Sequence, residues 1–255
     1  MSDTYLDTFN TRGDSYNEAA LIHPLARDVE RRILIDLLDL EPAHRVCDAP
    51  AGGGYLADGV APLVADPRHI VCVEPSQTFA ATIDPRYVVH IAPLDALPLA
   101  DGSVDRVGSL AGLHHLVGKR AFFHEAFRVL RPGGRIAVGD VLDGTPVAAF
   151  LNGPVDRFTT TGHEGHFLQP GETAALLNDA GFADVTEEHR EFSWTFDGVD
   201  QMVRYCKSLF GLVNAELSEV REALDAHFEV EESGGVVRLP WSLVYGTGTR
   251  PPPHA

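Results

Sequence analysis

The architecture of this chain is set by the stretch Val46-Cys47-Asp48-Ala49-Pro50-Ala51-Gly52-Gly53-Gly54. A short apolar run ends at Asp48, and a proline and three glycines follow before a helical pattern begins at about Tyr55. Glycines let the backbone of such a turn come close to a ligand. Glu74 ends the next apolar run, 22 residues after Gly52, at a spacing that suits a carboxylate binding a ribose. An ordinary strand-to-helix turn and a solvated strand end are the alternatives, and both weaken because the features occur together and in order.

The alternation of strand and helix continues on both sides of this turn. Apolar runs predict strands at residues 45–49, 70–74, 87–92, 104–110 and 135–142, and helical periodicity predicts helices at 25–40, 55–64 and 119–130. Each strand is almost wholly apolar, as in a parallel sheet covered by helices on both faces. The C-terminal third predicts a helix at 171–180, a strand at 183–194, a long helix at 198–227 and a strand at 239–249. We expect this helical insertion to form a lid over a substrate.

Composition and charge exclude several classes of function. The 255 residues, 44% hydrophobic and 22% charged, are enough for one large α/β domain. The excess of 37 acidic over 20 basic side chains gives a net charge of −17, which argues against binding nucleic acid or anionic lipid. Residues 172–232 hold 15 of the acids and 4 of the bases, so a net charge of −11 lies on the predicted lid. This distribution predicts a solvated outer face that aids solubility. The alternative is a preference for neutral or cationic acceptors over anionic ones.

The sequence also predicts a cytoplasmic location and no membrane association. No uncharged stretch reaches the roughly 18 apolar residues that a membrane span needs, and the first residues are polar and acidic, unlike a signal peptide. The three cysteines, Cys47, Cys72 and Cys206, are odd in number and widely spaced, so they predict reduced thiols rather than a disulfide framework.

Four segments carry a resemblance to a known family. They are VCDAPAGGG (46–54), VCVEPS (71–76), PLDALPLADGSVDRVGSLAGLHHL (93–116) and RVLRPGGRIAVGDV (128–141). In this order and spacing they resemble the class I S-adenosylmethionine-dependent methyltransferases, and within them the small-molecule branch that includes the quinone and sterol C-methyltransferases. The resemblance covers about residues 45–142. Pro50 departs from it, because the family usually has glycine there and proline removes a backbone N–H from the loop.

The resemblance implies an α/β, Rossmann-like fold. The expected sheet is mostly parallel and seven-stranded with the last strand antiparallel, and an N-terminal helical arm and a helical lid insertion are added to it. We expect a single methyltransferase domain over residues 1–255. Its parts are the N-terminal arm and helix (1–44), the cofactor-binding core (45–142), the substrate-side loop and helical lid (143–238), and the last strand and tail (239–255).

The resemblance also implies which residues bind S-adenosylmethionine. Asp48 is expected near the methionine ammonium, Glu74 at the ribose hydroxyls and Asp95 at the adenine amino group. A cation with a ribose suits these three carboxylates, which would repel a pyrophosphate. In the N-terminal segment, Tyr16 and Arg12 are positioned to reach the methionine carboxylate, with a loose polar arm as the alternative. The remaining expected contacts are Ala49, Pro50, Ala51 and Gly52 along the methionine and ribose, Pro75 and Ser76 flanking the adenine, Ala96 and Leu97 beside its ring, and Leu110 near the cofactor.

Histidines mark the predicted acceptor side. His115, favoured over His114 in the run after the fourth strand, and His163 and His166 farther along are the candidates for taking a proton from a substrate. A helix-start histidine bonded to the backbone and a polar loop are the respective alternatives. His163 and His166 lie beside Glu164, a pattern that also suits a metal, but the H-E-x-x-H signature is absent and we predict no metal site.

The predicted function is therefore methyl transfer from S-adenosylmethionine to a small-molecule acceptor, with the O, N or C atom left open. An NAD(P)-dependent reductase is suggested by the G-x-G-x-x-A match from Gly52 to Ala57, but no tyrosine has a lysine four residues later. A P-loop enzyme is discarded because Gly-Lys-Ser/Thr is absent. A protein of the same fold that binds the cofactor without methylating is not distinguished by these motifs. The sequence gives no indication of a homo-oligomer.

Overall fold

The strands lie in one sheet in the computed structural model, which describes Ala19 and residues 22–252. In chain order they are β1 (Val46–Asp48), β2 (Ile70–Glu74), β3 (Val88–Ile91), β4 (Val104–Leu110), β5 (Leu130–Asp140), β6 (Ala183–Phe196), β7 (Glu231–Ser233) and β8 (Val236–Thr249). Their spatial order is β3-β2-β1-β4-β5-β8-β6, and β7 pairs with β8. Strands β1 to β5 are parallel, whereas β8 is antiparallel to β5 and β6. The predicted mostly parallel sheet with an antiparallel last strand is confirmed.

Alternate residues of the central strands enter two separate apolar cores. Val46 of β1 belongs to one core and Cys47 to the other, while Ile70 and Cys72 of β2 are separated in the same way from Val71. Because successive side chains of a strand point to opposite faces, the sheet is covered on both sides. Both strands are buried at every residue, which explains why they appear in the sequence as continuous apolar runs.

Helices supply the cover on the two faces. They are α1 (Asp28–Leu38), α2 (Tyr55–Val60), α3 (Gln77–Ala80), α4 (Arg120–Val129), α5 (Pro146–Phe150), α6 (Asp156–Phe158), α7 (Glu172–Ala180), α8 (Val199–Phe210) and α9 (Leu217–His227). Helix α1 contacts β4 and β5, and its Leu34 and Leu38 enter the first core. Helix α4 contacts β5 and α7, and its Phe122 and Phe123 enter the second core. A π-helical turn, Leu151–Val155, joins α5 to α6.

The C-terminal insertion contains two helices, so the single helix predicted over residues 198–227 is wrong. Helix α8 ends at Gly211, whose φ of 62° is left-handed. Helix α9 begins after Glu216, whose side chain accepts a hydrogen bond from the backbone of Glu219 while the Glu219 side chain accepts one from the Glu216 N–H. The sequences of α8 and α9 have the same helical spacing of apolar residues, so this spacing does not reveal where one helix ends and the next begins. The separation is caused by the left-handed Gly211 and by the capping pair Glu216 and Glu219.

Among the described residues the sheet has eight strands rather than the seven predicted, because β7 forms a hairpin with β8. The turn is Gly234–Gly235, with φ values of 60° and 84°, which suits a tight two-residue hairpin. Strand β7 is the exposed polar sequence Glu-Glu-Ser and has no apolar alternation that would predict a strand. Strand β5 also begins at Leu130, earlier than the predicted residue 135.

No described helix is both long enough and apolar enough to cross a membrane.

Replacing Gly211 with alanine should lower the free energy of unfolding by about 1–2 kcal/mol, because a Cβ strains a left-handed residue. Urea unfolding followed by circular dichroism measures this change. Gly118→Ala is the matched control, since its Cβ would meet nothing within 4 Å and its φ is not left-handed. The control should stay within about 0.5 kcal/mol of the parent. Equal effects at both positions would contradict the proposed role of the left-handed helix end.

Candidate functional site

A first cavity lies where the carboxyl ends of β1 and β4 meet the glycine loop. It has an empty volume of about 490 Å³ including its open mouth. Its lining residues are Arg27, Asp48, Pro50, Ala51, Gly52, Tyr55, Leu56, Phe79, Leu110, Ala111 and Gly112. Strand β1 sits between β2 and β4, so the chain leaves it at the point where the strand order reverses, the usual ligand crevice of open α/β sheets. Five predicted cofactor residues are brought together here: Asp48, Pro50, Ala51, Gly52 and Leu110.

Asp48 is the charged residue at the floor of the first cavity. Its Oδ2 accepts a hydrogen bond from the N–H of Ala57 at 3.1 Å. Its Oδ1 is buried and accepts none within the described part of the chain. Burial raises the pKa of Asp48 well above its usual value, and the neighbouring carboxylates of Glu74 and Asp58 raise it further. A cationic ligand that donates hydrogen bonds would supply the missing donor to Oδ1 and would stabilise the ionised form of the carboxyl group.

Glu74 holds the glycine loop in place. Its Oε2 accepts from the N–H of Gly52 at 2.8 Å and its Oε1 from the N–H of Ser76 at 2.7 Å. The side chain is fully buried, so the structure places it against the loop backbone, and it is not among the residues lining the cavity. The spacing of 22 residues between Gly52 and Glu74 thus corresponds to a direct contact.

The other described residues predicted to bind the cofactor do not line this cavity. Ala49, Pro75 and Leu97 are buried behind the loops, and Leu97 donates its N–H to Glu125 at 2.7 Å. Asp95 and Ala96 are exposed on the loop that follows β3. Their roles stay predictions of the resemblance. Tyr16 and Arg12 lie outside the described residues.

Arg27 was not predicted from the sequence, yet it lines both this cavity and a second one. Its guanidinium lies 5.2 Å from the ring centre of Tyr55 and 5.4 Å from that of Trp194. Its Nε donates to Oε1 of Glu30 at 2.6 Å, and Glu30 also accepts from Nε1 of Trp194 at 3.0 Å. Burial raises the pKa of Glu30, and the charge of Arg27 opposes that rise. Arg27 precedes the loop by about twenty residues, so only the packing of α1 reveals its role.

The second cavity adjoins the first at Arg27 and Ala111. It has an empty volume of about 680 Å³ including its open mouth. Its remaining lining residues are His114, His115, Val141, Leu151, Val155, His163, Trp194, Leu209, Phe210, Trp241 and Leu243. The predicted insertion contributes Leu209 and Phe210 of α8 to its wall, and the flanking strands β6 and β8 contribute Trp194, Trp241 and Leu243.

Three histidines from two loops converge at one end of the second cavity. The ring centres of His114 and His115 lie 4.1 Å apart. The ring centre of His163 lies 5.7 Å from that of His114 and 5.2 Å from that of His115. His115 and His163 were predicted, and His114 is added to them. His166, also predicted, does not line the cavity. Its backbone makes the contacts instead: its N–H donates to the carbonyl of His114 at 2.7 Å and its carbonyl accepts from Lys119.

His114 is oriented by Asp140, which sequence reasoning missed. Its Nδ1 lies 2.6 Å from Oδ1 of Asp140. Asp140 also accepts from the N–H groups of Leu113, His114 and Val141. Burial alone would raise the pKa of Asp140, but the charge of His114 and these hydrogen bonds together hold it below its usual value. Since the ionised carboxylate only accepts, Nδ1 of His114 carries the hydrogen and Nε2 presents a lone pair when the ring is neutral. Asp140 ends β5 and His114 closely follows β4, the neighbouring parallel strand. These two positions in the sequence could have predicted the pair.

His163 is oriented in the same way by Asn152. The Asn152 amide is fixed by Gly165, whose N–H donates to Oδ1 at 2.7 Å and whose carbonyl accepts from Nδ2 at 2.9 Å. Oδ1 therefore faces Nδ1 of His163 at 3.1 Å, so that Nδ1 is the donor. One ring nitrogen from each of His114, His115 and His163 lies within 4.8 Å of the others. This spacing suits a shared polar ligand, and it also suits a metal ion, which the sequence did not predict.

Comparison with known proteins identifies the domain. Residues 47–138 match the family model described as a methyltransferase domain. Residues 47–138 therefore form a methyltransferase domain, and the following relatives are methyltransferases. The chain is 34% identical over 176 residues to 27-O-demethylrifamycin SV methyltransferase of Amycolatopsis mediterranei, covering 64% of each chain. It is 27% identical over 197 residues to methyltransferase GfsG of Streptomyces halstedii, covering 72% of this chain and 71% of that one.

The fold agrees with this assignment. Phosphoethanolamine N-methyltransferase 2 of Haemonchus contortus, solved in complex with S-adenosyl-L-methionine, superposes with a TM-score of 0.65 at 14% identity, over 97% of this chain and 60% of that one. At this identity the likeness shows the fold alone. S-Adenosylmethionine is the cofactor of the matched methyltransferases, as predicted. Asp48 has a buried carboxylate oxygen with no partner in the described part of the chain, and its contact with the methionine end stays a prediction.

Replacing Asp48 with asparagine should have opposite effects on stability and on ligand binding. The raised pKa means that the ionised form destabilises the cofactor-free fold, and that this cost appears as pH rises above the usual carboxyl range. Near neutral pH, Asp48→Asn should therefore unfold at the same or higher urea concentration than the parent. Its affinity for S-adenosylmethionine should fall by about tenfold or more, because a charge-assisted contact is lost.

Calorimetry and urea unfolding on the same preparations check both signs. The exposed Asp36→Asn removes a carboxylate of α1 far from the loop and should change neither quantity. A loss of stability with unchanged cofactor affinity would contradict the role given to Asp48.

Proposed function

We propose that this protein transfers a methyl group from S-adenosylmethionine to a small-molecule acceptor. The observation that carries the proposal is the junction of the two cavities at Ala111, directly after β4. One cavity ends on the incompletely bonded carboxylate of Asp48, and the other ends on three histidines. The relatives' names support a small-molecule acceptor, since one of them methylates a rifamycin derivative. The matches span 64% and 71% of the two relatives, so the activity of the whole protein is part of the proposal.

The cofactor supplies an activated methyl group on a sulfonium, which is already a good leaving group. The chain's task is to bind and align. Asp48 would hold the methionine ammonium, with the backbone of Ala49 to Gly52 along the methionine and ribose. Glu74 fixes that backbone through Gly52 and is the proposed ligand of the ribose hydroxyls. The predicted adenine contacts are Pro75, Ser76, Asp95, Ala96 and Leu97, and Leu110 ends its strand at the cavity.

The second cavity would hold the acceptor next to the cofactor and exclude water. Alignment of two bound reactants supplies most of the rate enhancement in such a displacement. When the acceptor must lose a proton, the imidazoles of His114, His115 and His163 are within the same cavity. His166 is proposed as a support of His114 through its backbone, in place of its predicted catalytic role.

The single domain and the cytoplasmic location are also proposals. One continuous sheet connects the core strands to β6 and β8, which supports a single unit. Cys47, Cys72 and Cys206 are buried free thiols, which supports a reducing compartment.

Calorimetric titration tests the cofactor assignment first. S-Adenosylmethionine should bind in a 1:1 complex, whereas NADPH should give no saturable heat. Mass spectrometry of candidate acceptors incubated with S-adenosylmethionine should then show the mass of one added methyl group. Absence of saturable binding by S-adenosylmethionine would refute the proposal. Binding without methylation of any acceptor would instead favour a non-methylating protein of the same fold.

A further inference from the structure

We infer that the acceptor is a neutral, largely apolar molecule with a flat ring and a hydroxyl group, and that His114 takes the proton of this hydroxyl as its oxygen is methylated. This inference rests on the proposed methyl transfer and narrows it to a class of acceptor and an acceptor atom. It depends on three features of the second cavity, which are its aromatic wall, its paired charge and its oriented histidines.

The aromatic wall consists of three rings in nearly parallel planes. Trp194 and Trp241 stack with ring centres 4.1 Å apart and an angle of 25° between their planes. The ring of Phe210 is inclined by 18° to Trp194 and by 22° to Trp241. The rest of this wall consists of aliphatic side chains such as Leu151 and Leu209. Such a surface favours a flat, apolar partner, because stacked aromatic faces gain energy beyond their buried area.

The charge inside the cavity is already compensated. Among the described residues that line it, Arg27 is the only one with a permanent charge, and it is paired with Glu30. Glu30 also accepts from Trp194 and is fully buried, so the ion pair forms part of the wall. None of the described lining residues is a carboxylate, so an ammonium group would lack a partner. A carboxylate ligand would have to compete with Glu30 for Arg27. The described lining of the cavity therefore favours a neutral acceptor.

The histidine end supplies what a hydroxyl group needs. The Asp140 contact gives His114 an Nε2 lone pair, which accepts the hydrogen of an O–H group. The Asn152 contact gives His163 the same tautomer. Ring nitrogens that accept are complementary to a donor on the ligand. A neutral hydroxyl group supplies such a hydrogen-bond donor. Its oxygen becomes a better nucleophile when the proton leaves.

The proposed step balances without a further reactant. The hydroxyl oxygen forms a bond to the methyl carbon while the carbon–sulfur bond breaks, and the sulfur keeps that electron pair. The hydroxyl proton moves to Nε2 of His114, whose positive charge is stabilised by Asp140. The proton then passes to solvent after the neutral ether product leaves. Asp140 acts as a positioning residue that keeps the His114 ring in the productive tautomer.

The two tryptophans make acceptor binding directly measurable. Trp194 and Trp241 are the only tryptophans in the chain, and both line the second cavity. Three probes of matched shape, 2-naphthol, 2-naphthoate and 2-naphthylmethylammonium, are titrated in the presence of S-adenosylhomocysteine. Calorimetry gives the affinity, and tryptophan emission reports whether the cavity is occupied. We expect 2-naphthol to bind at least about tenfold more tightly than either charged probe and to change the emission.

Equal or tighter binding of a charged probe would overturn the inference. Binding that leaves tryptophan emission unchanged, or no binding by any of the three probes, would overturn it as well. These outcomes are separate from failure of the proposed function, which is decided by S-adenosylmethionine binding and by methylation of any acceptor, charged or neutral. A protein that methylates a charged acceptor keeps the proposed function and loses the inference.

The His114→Asn variant tests the proton transfer while keeping a side-chain N–H for Asp140. Turnover of 2-naphthol should fall by about 100-fold or more, and its affinity should stay within about threefold of the parent's. The exposed His189→Ala should behave like the parent. With a donor carrying a ¹³C-labelled methyl, the NMR signal of the product should be that of an O-methyl group.

Unchanged turnover in His114→Asn, a product methylated on carbon, or no product at all would overturn the assignment. Elemental analysis of the purified protein adds an independent check on the histidine cluster. A stoichiometric transition metal would place a cation where the inference places the hydroxyl, and would overturn it too.

Discussion

Parallel pairing of β1, β4 and β5 is the constraint on which both cavities depend. Asp48 pairs with Gly108 across β1 and β4, and Leu110 pairs with Gly139 across β4 and β5. Because parallel strands end at one edge, the residues that follow them must share that edge. The glycine loop, the His114 turn and Asp140 therefore come together from three separate parts of the chain. The antiparallel β8, which lies between β5 and β6, then adds Trp241 and Leu243 to the acceptor side.

Four buried carboxylates at this edge differ in how completely they are bonded. Asp140 accepts from three backbone N–H groups and from His114, and Glu74 accepts from Gly52 and Ser76. Glu30 is paired with Arg27 and Trp194. In contrast, one oxygen of Asp48 has no partner in the described part of the chain. The first three carboxylates bond groups of the protein on both sides or through several contacts, while Asp48 faces a cavity with one oxygen left for a cationic ligand.

The core strands and part of the site could be predicted from local sequence. Strands β2 and β4 have the predicted bounds, because strands buried on both faces appear as apolar runs. Asp48, Leu110 and His115, which line the cavities, could be identified because each ends a strand or closely follows one, and His163 could be identified from its place beside Glu164 and His166. The break at Gly211 and the polar strand β7 were missed, since neither changes the apolar period. The mostly parallel sheet and its antiparallel last strand were predicted correctly.

Residues whose role depends on distant contacts could not be predicted. Arg27 meets Trp194 only because α1 packs beside β6, and Trp194 meets Trp241 only through the ladder of β6 and β8. His166 was assigned to the acceptor side because it follows His163 closely, yet its backbone rather than its imidazole makes the contacts. Local spacing identifies the loops that reach a site, whereas packing determines which of their side chains enter it.

A crystal structure with S-adenosylhomocysteine and 2-naphthol tests the central claim most directly. The claim predicts the methionine ammonium on Asp48 in the first cavity and the naphthol ring against Trp194 and Trp241 in the second. It also predicts a hydroxyl oxygen within about 2.6–3.2 Å of Nε2 of His114, facing the cofactor sulfur. A cofactor bound away from Asp48, or a naphthol hydroxyl directed to solvent, would contradict the account.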